Sequence, residues 1–239
     1  GGFAEYYYLF PGHFVFKVPD ELSNEAAAAV NCAAAQVVYG LRQADMQLGN
    51  HVVIQGAGGL GINAAAAAKE MGAASVIAID GVPSRLELAR LCGADQTIDI
   101  NEYDTSEARI ERVKELTEGR GADVVMEVVG YPQVVPEGIA MTRKGGAFVE
   151  IGNIWPDSNV TLDVSKVLWG QVRIIPATHY DPYILPVTVD MLTRTRDKYP
   201  LTRVMSHSFP LERIGEAFEA AEWAGKTEDT VVTRAMVAP

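Results

Sequence analysis

Between residues 51 and 177 the sequence alternates short apolar runs with longer helical stretches, and glycine turns separate them. The runs 51–55, 75–80, 96–100, 122–128, 146–151 and 172–177 are rich in β-branched residues and read as strands. The intervening stretches 59–71, 84–92, 106–117 and 132–141, with a weaker one at 162–168, read as helices. Strands that alternate with helices across short turns predict an α/β fold with a doubly wound parallel sheet. The strands are continuous apolar runs, such as Val76-Ile77-Ala78-Ile79, and not polar–apolar alternations. That is the pattern of strands buried on both faces.

The flanks have a different rhythm. Residues 3–9 and 15–18 read as short strands, and Ser23 is placed to cap a helix running through alanine-rich sequence to about Ala44. After Tyr180 the pattern predicts a helix over 182–195, a strand within 203–209, a helix over 210–223 and a final strand over 230–237.

Composition removes several function classes. With 48% apolar residues over 239 positions, disorder is excluded as the main state. A net charge of −11 argues against a nucleic-acid partner, which calls for a basic patch. Two cysteines exclude a disulfide scaffold and suit a reducing compartment, so a cytoplasmic location is expected. No apolar run approaches the ~18–20 residues of a membrane span, and no basic leader opens the sequence, so no membrane partner is expected.

The first strand of the alternating unit leads into Gly56-Ala57-Gly58-Gly59-Leu60-Gly61 and then a helix. This is G-x-G-x-x-G in the strand–turn–helix setting its chemistry requires. Gly56 permits the tight turn, Gly58 lets a pyrophosphate approach the backbone, and Gly61 lets the helix pack on the sheet. The leading amides of the helix favour an anion. Asp80 ends the next strand, 19 residues after Gly61, where a carboxylate can accept both hydroxyls of an adenosine ribose. It repels a 2′-phosphate, which favours NAD over NADP. Arg85 is placed to lie along that ribose or to stand exposed on its helix. A methyltransferase also uses a glycine turn and an acidic strand end; the third glycine opening a helix disfavours it.

The ordered set of motifs resembles the zinc-type medium-chain alcohol dehydrogenases. It comprises Gly1–Tyr6, Val18-Pro19-Asp20, Asn31-Cys32, Gly56–Gly61, Asp80, Gly93-Ala94-Asp95, Gly121–Val125, Glu127–Gly130, Gly145-Gly146, Ile151-Gly152 and Phe209–Glu212. The resemblance implies a Rossmann domain over 45–180 for the coenzyme. It makes 1–44 the end of a GroES-like catalytic domain with its bridging helix, and 181–239 a segment returning to that domain. On this view the chain is a fragment with leftover segments of the barrel at both termini. Val128, Val129 and Gly130 correspond to the segment beside the adenosine and nicotinamide ribose, and Ile151, Gly152 and Asn153 to the segment that meets the carboxamide. Cys32 corresponds to one ligand of the catalytic zinc, with the reading as a small buried cysteine as its alternative. His13, His51, His179 and His207 show no metal-ligand spacing that completes a site. Gln36 stands where many relatives carry a threonine, and Cys92 reads as core. The implied reaction passes a hydride between an alcohol or carbonyl and nicotinamide. The resemblance also implies a homo-oligomer paired through the edge strand 172–177. A zinc-free NADPH quinone reductase of the same superfamily is opposed by Asp80 and Cys32. A non-catalytic nucleotide-binding module is the remaining alternative.

Overall fold

The computed structural model describes residues 2–222 and 234–238. Six parallel strands build its centre: β1 (His51–Gln55), β2 (Ser75–Asp80), β3 (Gln96–Asp99), β4 (Ala122–Glu127), β5 (Thr142–Glu150) and β6 (Arg173–Pro176). Their spatial order is β3-β2-β1-β4-β5-β6. The chain therefore steps outward from β1 to β3, crosses back to β4, and steps outward the other way. The reversal between β1 and β4 leaves a crevice at their carboxyl ends, where ligands bind in open sheets of this kind.

Successive residues on each strand enter opposite cores. Val52, Ile54, Val76, Ala78, Val124, Met126, Ala147 and Val149 pack on one face, and Val53, Ile77, Ile79, Val125 and Phe148 on the other. The first face is covered by α2 (Ala35–Gln43), α3 (Gly59–Glu70), α4 (Pro83–Leu91) and α8 (Ile184–Thr195). The second carries α5 (Ser106–Leu116), α6 (Val134–Met141) and α7 (Val164–Gly170). Ala64 to Ala68 of α3 are each fully buried, because this helix is enclosed by the sheet and by α2. Small side chains let it approach both neighbours. Among the described residues no helix is long and apolar enough to cross a membrane.

The strands of this unit lie where the sequence predicts them, with ends differing by a few residues. The flanks depart from expectation. No strand forms within residues 2–18, and Tyr6, Tyr7, Tyr8 and Phe10 are exposed. A strand needs a ladder partner for its N–H and C=O groups, and none lies alongside among the described residues. The alanine-rich helix begins as expected: the Ser23 hydroxyl caps α1 (Asn24–Ala28) by accepting from the N–H of Ala26 at 3.4 Å. It is not one continuous α-helix. A π-helical segment, Val30–Ala34, separates α1 from α2, and the N–H groups of Ala33 and Ala34 both reach the Ala29 carbonyl. Residues 201–204 form a 3₁₀ turn before β7 (His207–Pro210), which shortens the strand expected over 203–209. A second 3₁₀ turn precedes α9 (Ile214–Glu222), and β8 (Ala235–Ala238) pairs with β7 in parallel. The parts of the predicted last helix and strand at residues 223 and 230–233 lie outside the described residues.

Candidate coenzyme crevice

Gly56 has φ +97°, and its N–H donates to the Ile79 carbonyl, so the chain turns sharply away from β1 while held to β2. A Cβ at Gly61 would stand 1.8 Å from the Gly56 carbonyl oxygen. The helix α3 thus starts hard against the turn. Gly58 occupies its N-cap position and no side chain caps it. The leading amides of Gly59, Leu60 and Gly61 therefore face a position that an anion can fill. A Cβ on Gly58 would meet nothing within 4 Å. The turn is a cradle with space where a phosphate approaches.

Asp80 faces this cradle. Its Oδ2 accepts from the N–H of Ala57 at 2.7 Å, and its Oδ1 accepts from the N–H of Val82 at 2.9 Å. Each oxygen keeps a further acceptor position. The cleft alongside measures about 550 Å³, and Gly56, Gly58, Asp80, Arg85, Val128 and Val129 all line it. Residues that no motif singles out complete the walls: Gln55, Ile100, Asn101, Tyr131, Arg109 and Glu137. Arg109 and Glu137 form a largely buried ion pair at 2.6 Å, which Ser106 joins through its hydroxyl. Their separation in sequence hides the pairing until α5 and α6 pack together.

The other predicted contacts group around a buried acid. Glu127, at the end of β4, has no exposed surface. Its Oε1 accepts from the N–H groups of Val129 and Gly130 at 2.6 and 2.7 Å, and its Oε2 from the N–H of Gly152 at 2.9 Å. The Asn153 amide reaches the same Oε2 at 3.3 Å. Ile151 is buried beside this turn. Burial and the adjoining Glu150 carboxyl push Glu127 up to about 7, against the pull of the Gly130 and Val129 amides.

Cys32 lies on the π-helical segment and is exposed, which sets aside its reading as a buried core cysteine. Such segments commonly mark functional positions in helices. Cys92 is buried, and burial pushes its thiol up to about 12. Gln36 is buried and donates to the Ala177 carbonyl at 2.6 Å, tying α2 to the chain after β6. Arg234 is a residue that sequence reasoning missed. It crosses the start of α3, where a Cβ on Gly59 would come within 2.7 Å of its Nε. Its guanidinium lies 3.6 Å from the Cys32 sulfur. No local pattern announces it, since it reaches the glycine turn only through the fold.

A catalytic zinc needs three protein ligands and an open position. Among the described residues no group of three histidine, cysteine or acidic side chains is placed to hold a metal ion. The donor set around Cys32 therefore does not fit a zinc centre by itself.

The family model of zinc-binding dehydrogenases matches residues 59–194. An erythritol/L-threitol dehydrogenase of Mycolicibacterium smegmatis is 32% identical over 214 residues, covering 89% of this chain and 57% of that protein. A 5-exo-hydroxycamphor dehydrogenase of Pseudomonas putida is 32% identical over 220 residues, covering 92% and 61%. The crystal structure of an alcohol dehydrogenase from Thermotoga maritima superimposes with a TM-score of 0.81 at 30% identity, covering 87% of this chain and 56% of that one. The chain thus spans about three-fifths of the length of the relatives it matches. Sheet order, glycine turn and sequence agree: the chain belongs to the zinc-binding dehydrogenase family.

Proposed function

We propose that this chain is the NAD-binding part of a zinc-type alcohol dehydrogenase that passes a hydride between an alcohol or carbonyl substrate and nicotinamide. The observation that carries the reading is Asp80, fixed by the amides of Ala57 and Val82 beside the open Gly58 cradle. A carboxylate so held accepts a ribose diol and disfavours a 2′-phosphate. The amides of Gly59, Leu60 and Gly61, with the Arg234 guanidinium above them, supply positive charge for the pyrophosphate. Val128, Val129 and Gly130, then Ile151, Gly152 and Asn153, form the surface for the nicotinamide half, and Arg85 stands at the adenosine end. When bound, NAD supplies the hydride acceptor; this chain orients its ring. We assign Cys32 as one zinc ligand of a longer parent, and no step assigned to this chain runs through the metal. The relatives' names span erythritol, threitol and hydroxycamphor, so the proposed substrates stay at the level of small alcohols and carbonyls. Two free cysteines support work in a reducing compartment, the cytoplasm.

Calorimetry with NAD and NADP tests the reading. The unaltered chain binds NAD in preference to NADP. Asp80→Ala lowers NAD affinity by about tenfold, the scale of a charge-assisted hydrogen bond, and narrows the preference. Equal affinity for the two coenzymes in the unaltered chain would refute the role of Asp80.

A further inference from the structure

Glu127 is a charged residue inside an apolar strand, with no exposed surface. Burying a carboxyl is costly unless its oxygens are hydrogen-bonded. Here the partners do not come from its own strand ladder. They are the N–H groups of Val129 and Gly130 in the turn after β4, and the N–H of Gly152 with the Asn153 amide in the turn after β5. One carboxyl thus joins two loops that belong to different βα units.

The loops touch as closely as backbones allow. A Cβ at Gly152 would lie 2.4 Å from the Gly130 nitrogen and 2.6 Å from Glu127 Oε2. One at Gly130, where φ is +82°, would lie 2.8 Å from the Gly152 carbonyl oxygen. Gly130 and Gly152 are therefore not only sharp exits from strands. They clear the space in which one acid gathers both turns. The neighbours of Glu127 in register are Gln55 on β1, which is uncharged, and Glu150 on β5. Glu150 Oε1 accepts from the backbone and the side chain of Asn153, at 3.1 and 3.0 Å, which fixes that residue from its second side. Among the described residues no basic side chain meets either oxygen of Glu127, so its hold on the turns rests on the N–H donors.

We propose that Glu127 is a positioning residue for the coenzyme, clasping the turn after β4 to the turn after β5 so that together they form the wall for the nicotinamide half. The inference rests on the NAD reading above and adds the group that shapes one end of that site. The adenosine end, with Asp80 and the glycine turn, is held by hydrogen bonds of its own, and of the residues whose amides Glu127 holds only Val129 lines the cleft beside it.

That separation sets the test. In Glu127→Gln one acceptor oxygen becomes an N–H₂ group facing N–H donors, and the clasp opens on that side. The expected result by calorimetry is a loss of NAD affinity of about tenfold or more, while ADP, which lacks the nicotinamide riboside, binds within roughly twofold of the unaltered chain. Hydrogen exchange on the unaltered chain gives a second readout that needs no variant. The amides of Val129, Gly130 and Gly152 should exchange roughly a hundredfold more slowly than an exposed turn amide such as that of Gly12. Unchanged NAD affinity in Glu127→Gln, an equal loss for NAD and ADP, or fast exchange at the three amides would overturn the inference. If the unaltered chain binds neither NAD nor ADP, the coenzyme reading itself fails, and it fails before any substitution is made.

Discussion

A methyl group added at Gly58 would meet no heavy atom within 4 Å, whereas one added at Gly61 would stand 1.8 Å from the Gly56 carbonyl oxygen. Gly58 has φ −74° and ψ −164°, an extended conformation open to any residue. Gly58→Ala should therefore leave stability within about 0.5 kcal/mol in urea unfolding, the range of substitutions that break no contact. It should cost NAD about tenfold in affinity, because the methyl occupies the approach of the pyrophosphate. Gly61→Ala should cost roughly 3 kcal/mol or more, the scale of overpacking against backbone. A loss of stability in the first variant comparable to that in the second would remove the assigned division of labour. This much was legible in the sequence, because spacing and residue type alone place the glycines on a strand–turn–helix. Arg234 was not. It meets Gly59 across a separation that no local period encodes. Glu127 was legible only as the first residue of a motif; its partners, the turn amides after β4 and β5, meet it through the fold.

At the scale of elements, β4 and β5 end in acids that face one another in register, Glu127 and Glu150. Burial and the second carboxyl push Glu127 up to about 7, from an ordinary glutamate value of 4.5. A folded value above the unfolded one means that the native state holds the proton more tightly. The corresponding stabilisation is fully present below the ordinary carboxylate range and is lost as pH rises through about 7. Glu150→Gln removes the like charge and offers an N–H to Glu127, which brings its titration part of the way down while burial still holds it up. Urea unfolding at pH 5 and pH 8 should show the unaltered chain losing more stability across that range than Glu150→Gln, in which burial alone still raises Glu127. Parallel stability curves would mean that the Glu150 carboxyl does not raise Glu127. The strands bearing these acids were readable because a strand buried on both faces is an unbroken apolar run. The expected strands within residues 2–18 failed because aromatic content marks strand propensity, while strand formation depends on a partner. The π-helical segment carrying Cys32 was also hidden. Alanine-rich sequence favours an unbroken α-helix, and the packing of α3 and α8 against the segment is not encoded in any local pattern.

At the scale of the whole molecule, the six-stranded sheet has two edges of opposite character. Strand β3, at one end, reads Gln96-Thr97-Ile98-Asp99, polar at three of four positions. Strand β6, at the other, reads Arg173-Ile174-Ile175-Pro176, and the helix that precedes it, α7, packs on β5 and has no buried residue. Ile154, Trp155, Val164, Leu168 and Trp169, in the segment that joins β5 to β6, are exposed, Trp169 at 77%. An exposed apolar edge with open backbone groups is a template for pairing. A two-fold contact between identical edges closes on itself and runs one sheet into the next. The expected state is a dimer through β6 and α7. The net charge of −11 on each copy opposes association, so the dimer should tighten as salt is raised, whereas a contact driven by ion pairs would weaken. Trp169→Asp and Ile174→Lys each place a charge on the apolar edge and should shift the chain to monomer in sedimentation velocity. Their NAD affinity should stay within roughly twofold, because the crevice opens between β1 and β4, away from this edge. A dimer that persists in both variants would move the contact elsewhere, and the exposed aromatic segment around Tyr6, Tyr7 and Tyr8 is the surface that would then be tested by the same substitution of charge for ring.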